Sequence, residues 1–161
     1  VHFLKELKDQ TDEKLREAFI QCSAAETFLL WHKYKEDTQK EKATHTADND
    51  LKNGKIPEDF KRQMFYTFGD YRDLCLDKDI GNDVDTVKSN IKKVFENSSK
   101  NGETQTTADD WWKTIENDVW RGMLCSLTNE LTDVEKKYIF NKYNNPPEEF
   151  AKTPQFLRWF T

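Results

Sequence analysis

Nineteen consecutive residues, DDWWKTIENDVWRGMLCSL from Asp109 to Leu127, hold three of the chain's five tryptophans. Steps of three and four separate Trp111 or Trp112, Ile115, Val119 and Met123, and Trp120, Leu124 and Leu127 widen the same stripe. That spacing marks one face of an α-helix. Thr107 and Asp110 resemble a capping box with Asp in place of the usual Glu, and acids suit the positive end of a helix dipole. An aromatic cofactor box would need polar groups converging on the rings. None is legible, so the stretch reads as a core helix. The chain needs such a helix. Only 35% of its 161 residues are apolar and 34% are charged, a balance that by itself leans towards disorder. The 13% aromatic fraction offsets it, because each buried ring removes roughly 150–250 Å² from water.

The same period organises the rest of the chain. Residues 1–10 read as a short helical lead-in carrying Phe3, Leu4 and Leu7. The stretch TDEKLREAFIQCSAAETFLLWHKYKED carries two apolar stripes. One is Leu15, Phe19, Cys22, Ala25 and Leu29; the other is Ile20, Ala24, Thr27, Phe28 and Trp31. A helix apolar on two faces is expected at the centre of a bundle. Residues 36–55 read as a solvated loop closed by an Asn53-Gly54 turn, with Pro57 at the first helical position. Phe60, Met64, Phe68, Tyr71 and Cys75 define the next helix, in which Gly69 serves either close packing or a kink. After a DKDIGND turn, Val84, Val87, Ile91, Val94 and Phe95 define another. The polar loop ENSSKNGETQTT contains a glycosylation triplet at Asn97. TDVE at 132–135 is a capping box, NNPPEE breaks the chain, and PQFLRWF begins a last helix. No stretch alternates with period two. The expected fold is all-α, a bundle of long helices with extended polar loops.

Several functions are disfavoured by the same residues. A net charge of −5 with interspersed signs argues against nucleic-acid binding. No apolar run approaches the roughly 18–20 residues needed to span a bilayer, and no signal peptide is legible. The chain begins at Val1 and stops in mid-pattern, so it reads as an excised piece of something longer. His2, His32 and His45 are scattered without metal-ligand spacing, and no nucleophile, metalloprotease or phosphate-loop motif occurs. The expectation is a non-enzymatic chain with no catalytic residue, metal or cofactor. Lys52, Lys55, Lys61 and Arg62 flank a helix start, and Lys88, Lys92 and Lys93 lie on another helix. They are candidate contacts for a polyanion or receptor, although a solvated basic face is the plainer reading. Cys22, Cys75 and Cys125 form no CxxC pair. They are either free buried thiols or a disulfide plus one thiol whose partner lies elsewhere.

Four stretches occur in a telling order: LREAFIQCSAAETFLLWHKYK, GKIPEDFKRQMFYTFGDYRDLCL, WWKT with VWRGMLCSL, and PQFLRWFT. Together they closely resemble the Duffy-binding-like domain of the malaria parasite's erythrocyte membrane protein family, the variant adhesins encoded by var genes. The resemblance covers nearly the whole chain. It implies an all-α, cysteine-stabilised adhesion domain displayed extracellularly on the infected red cell. Cys22, Cys75 and Cys125 would be framework positions. Residues 1–161 would be one helical domain within a larger Duffy-binding-like domain, and 149–161 would start a following subdomain. Its partner would be a host cell-surface receptor protein or a sulfated glycan, its membrane anchor lying in other parts of the parent protein. The alternatives are a sulfated-glycosaminoglycan module and a structural subdomain without autonomous binding.

Overall fold

The computed structural model describes residues 2–7, 11–40, 47–76, 85–100, 107–158 and 160. Nine helices and no strand are present among the described residues: α1 (His2–Lys5), α2 (Asp12–Lys40), α3 (Ala47–Lys52), α4 (Glu58–Cys75), α5 (Asp85–Lys100), α6 (Ala108–Leu127), α7 (Asp133–Tyr143), α8 (Glu148–Lys152) and α9 (Gln155–Arg158). The expected all-α bundle is therefore the observed fold.

The bundle is built around α2 and α6, which run parallel in a fixed register. Arg16 pairs with Asp118, and the Ser126 hydroxyl donates to the Ala24 carbonyl at 2.7 Å, both at an offset of 102 residues. Between them Ile20 meets Gly122, where a Cβ would lie 3.0 Å from the Ile20 side chain. A glycine there lets two helix backbones approach, and that close approach outweighs its poor helix propensity. At the N-terminal end the Trp111 indole N–H donates to Asp12.

The core is aromatic, as the composition requires. Phe19 meets Tyr71, Trp111 and Trp112 edge-on, and Phe68 packs against Trp112 and Trp120. Edge-to-face contacts of this kind suit the ring quadrupoles. Trp111, Trp112, Ile115, Val119, Trp120, Met123, Leu124 and Leu127 are all buried, so the opening stretch is core. Thr107 caps α6 by accepting from the Asp110 N–H at 3.2 Å. The second capping box is complete, with Thr132 and Glu135 bonding each other's backbone.

Several expectations need correction. The buried face of α2 runs through Leu15, Ala18, Phe19, Cys22, Ser23, Thr27 and Trp31. Ala25 is exposed, Leu29 is 66% exposed and Phe28 is 39% exposed. Ser23 and Thr27 can sit inside because their hydroxyls donate to carbonyls one turn back on the same helix, at 3.0 and 2.8 Å. The 36–55 segment is not one loop. Its first five residues extend α2, and α3 buries Ala47 and Leu51. Residues 41–46 lie outside the described residues. Pro57 occupies the N-cap of α4 and not its first turn. The ENSSKNGETQTT loop is helical as far as Lys100, so Asn97 sits in α5. The DKDIGND turn, Val84 and residues 101–106 lie outside the described residues.

The Asn53-Gly54 turn is as read. Gly54 has φ +82°, and a Cβ there would stand 3.0 Å from the Tyr138 Cβ. Both the left-handed backbone and the close approach of α7 require glycine. Gly69 also serves close packing: a Cβ would fall 3.1 Å from the Arg158 guanidinium carbon.

Candidate functional site

The candidate cations fall on separate elements. Lys52 ends α3, Lys55 follows the Gly54 turn, and Lys61 and Arg62 lie in the first turns of α4. Acids already sit beside two of them. Lys61 pairs with Glu58 at 3.0 Å and lies over the Phe65 ring. Lys52 faces Glu135, whose carboxyl is held below its ordinary range mainly by the hydrogen bond from the Thr132 backbone, with Lys52 adding to it. Lys88, Lys92 and Lys93 are on α5, the first half-buried and the other two exposed. α5 packs on α1, α2 and α4, whereas α3 packs on α2 and α7. The two groups therefore lie on different helices.

The three cysteines are free thiols, and no disulfide joins any two of them. A disulfide framework, which the resemblance implies for the larger domain, is not seen among these three residues. Each lies on a different helix, and they do not share one environment: Cys22 and Cys75 are buried, whereas Cys125 faces solvent on α6. The Cys75 sulfur contacts the Ala108 carbonyl at 3.8 Å, and burial pushes its thiol up to about 12. A thiol so poor in thiolate is unreactive. Under native conditions an alkylating reagent is expected to label Cys125 rapidly and Cys22 and Cys75 only on unfolding. Mass spectrometry of the partly labelled chain checks this. Fast modification of two thiols would contradict the burial.

No group of His, Cys, Asp and Glu that could hold a metal occurs among the described residues. Among the described residues, Glu116 on α6 is an acid whose carboxyl is strongly perturbed. Its carboxyl is raised to about 7, first by desolvation and then by a hydrogen bond and repulsion from Glu148 in the first turn of α8, with Lys152 and Arg72 opposing. A carboxylate raised in the folded state binds its proton more tightly there than in the unfolded chain. Its stabilising contribution is present below the unfolded value near 4.5 and is lost as pH rises through about 7. Glu116→Gln should flatten this part of the pH–stability curve, as followed by thermal melting between pH 4.5 and 8. An unchanged slope would assign it to other groups.

An ionic network escaped the sequence reading. Arg158 on α9 is fully buried, and its Nη2 lies 2.7 Å from Asp73 and 3.1 Å from Asp70 on α4. Its Nη1 donates to the Thr153 carbonyl at 2.7 Å. Arg72 joins α4 to Asp109 of α6 at 3.6 Å. Two signals were available: Asp70 and Asp73 three apart on one helix face beside Gly69, and a lone Arg within the apolar PQFLRWF. Among the described residues, the exposed large apolar side chains are Phe3 on α1, Phe28 and Leu29 on α2, Val134 and Tyr138 on α7, and Phe156, Leu157 and Phe160 at the α9 end.

Against models of known protein families, the chain matches the Duffy binding domain over residues 1–158. Searches of curated proteins and of solved structures returned no match. Domains of this family are extracellular adhesion modules, not enzymes, and bind host receptors or glycans. No described helix is long and apolar enough to cross a membrane. The helical bundle and a match over nearly the full length agree: this chain belongs to the Duffy binding domain family.

Proposed function

We propose that the chain is a non-enzymatic part of a Duffy-binding-like domain of a var-encoded erythrocyte membrane protein. It acts on the outside of the infected red cell and binds a host receptor protein for cytoadhesion. The family match over residues 1–158 carries this reading. The family-like motifs support it by being spent on scaffold. The tryptophans of α6 and the aromatic residues of α4 are core, so recognition falls to solvent faces and loops, where binding function concentrates. Residues 149–161 lead into a following subdomain in this reading.

A protein receptor is preferred to a sulfated glycan because the cations are divided between α3–α4 and α5, and acids sit beside Lys52 and Lys61. The exposed apolar residues on α2, α7 and α9 supply the contact area that protein interfaces use at their centres.

The test is binding of the monomeric chain to an array of endothelial receptors, immunoglobulins and sulfated glycans, at low and physiological salt. Saturable binding to one protein receptor that survives the higher salt is expected. A glycan signal that fades with salt would move the site to Lys52, Lys55, Lys61 and Arg62 or to Lys88, Lys92 and Lys93, because such binding rests on charge. Silence from a chain shown to be folded would make this part scaffold without autonomous binding.

A further inference from the structure

The C-terminal helices are attached to the bundle in an unusual way. A terminal helix commonly docks through apolar side chains and turns its charges outward. Here α9 does the reverse. Arg158 is inside, while Phe156, Leu157 and Phe160 are 50–76% exposed. The buried residues of α8 and α9 are Ala151 and Arg158.

Among the described residues, what holds these helices is mostly polar. The Arg158 guanidinium sits over Gly69, where the missing Cβ makes room, and bridges Asp70 and Asp73. Its Nη1 donates to the Ala151 and Thr153 carbonyls at 3.4 and 2.7 Å. Arg72 donates to the same Ala151 carbonyl at 3.4 Å. The Tyr66 hydroxyl donates to the Arg158 backbone carbonyl at 2.5 Å. Among the described residues, the apolar share is the buried Ala151 and the half-buried Phe150, whose ring lies on Phe65 and Tyr66. Upstream, the chain is pinned where the Trp120 indole N–H donates to the Tyr143 carbonyl at 2.6 Å. Between that pin and α8 lies Asn144-Asn145-Pro146-Pro147, which cannot continue a helix.

We propose that α8 and α9 form a strap that opens from the bundle as a unit, hinged at Asn144–Pro147 and latched by Arg158 in the Gly69–Asp70–Asp73 socket of α4. Opening uncovers Phe65, Tyr66 and the two aspartates, and frees the outward aromatic edge of α9 to change direction. The α2–α6 core stays folded, because its apolar contacts are made without the strap. Segments with few buried apolar contacts are the ones that open below the global unfolding free energy.

The test is hydrogen exchange of the intact chain, resolved by residue. Arg158→Met keeps much of the side-chain length and removes the charge. In this variant, amides of residues 148–158 should exchange at least tenfold faster, while those of α2 and α6 keep their wild-type rates. Unchanged strap exchange, or equal acceleration throughout the chain, would overturn the proposal. Wild-type exchange under graded denaturant covers the case of a variant that does not fold. The strap amides should then open at lower denaturant than the α6 core. Coincident opening of both would mean that the strap belongs to one cooperative unit with the rest.

Discussion

Replacing Trp120 with alanine is expected to lower unfolding stability by about 3–5 kcal/mol, the range for deleting a large buried aromatic. Trp120 is 1% exposed. Its ring packs against Phe65 and Phe68, so its loss opens a cavity between α4 and α6. Its N–H also bonds the Tyr143 carbonyl, which would be left without that donor. Denaturant unfolding followed by circular dichroism checks the figure. A variant with the wild-type midpoint would mean that the ring is solvent-facing, and the tryptophan cluster would return as a binding surface. Trp120→Phe should cost less, because most of the ring volume remains and the loss is the hydrogen bond plus a smaller void.

The second large effect is expected at Phe19. Phe19→Ala should also cost about 3–5 kcal/mol, through a different part of the core. Phe19 is fully buried on α2 and touches rings from α4 and α6 together: Tyr71 at 6.2 Å, Trp111 at 5.7 Å and Trp112 at 6.1 Å between centroids. Few positions join all three long helices. Phe19 packs on Tyr71, Trp111 and Trp112 and Trp120 on Phe65 and Phe68, so the effects of the two substitutions should add to within a few tenths of a kcal/mol. A double variant measured by the same unfolding assay checks this. A large shortfall from additivity would show that the aromatic core relaxes as one piece. Exposed Leu29 offers the contrast. Leu29→Ala should change stability by less than about 0.5 kcal/mol, as surface substitutions do.

The legibility of this chain differed between its helices. α6 was plain because its apolar residues make one stripe and its cap is a Thr with acids behind it. α2 was not, because apolar residues lie on more than one side. Its inner face includes Ser23, which a hydropathy pattern counts as polar. Its hydroxyl is satisfied within the helix, so it buries at little cost. The helical ends of the 36–55 segment were missed for a related reason. Glu, Gln and Lys form helix well without making an apolar stripe, so the last turn of α2 leaves no periodic mark. The candidate site was less legible still. The lysine runs were visible, but their division between α3–α4 and α5, and the acids beside Lys52 and Lys61, were not. The family match over residues 1–158 says what kind of domain this is.

The sequence by itself determined the class of fold, the identity of α6 as core, the two helix caps and the glycine turn at Gly54. All of these rest on spacing within a few residues, and helical geometry converts such spacing directly into faces and ends. The tertiary structure alone decided which side of α2 is buried, how α2 and α6 share a parallel register across Gly122, and why an arginine lies inside the bundle while its aromatic neighbours lie outside. Arg158 meets Asp70 and Asp73 from 88 and 85 residues away. No local period encodes that pairing. It exists because chain folding brings a guanidinium to the one turn of α4 where glycine leaves space and two carboxylates supply the charge.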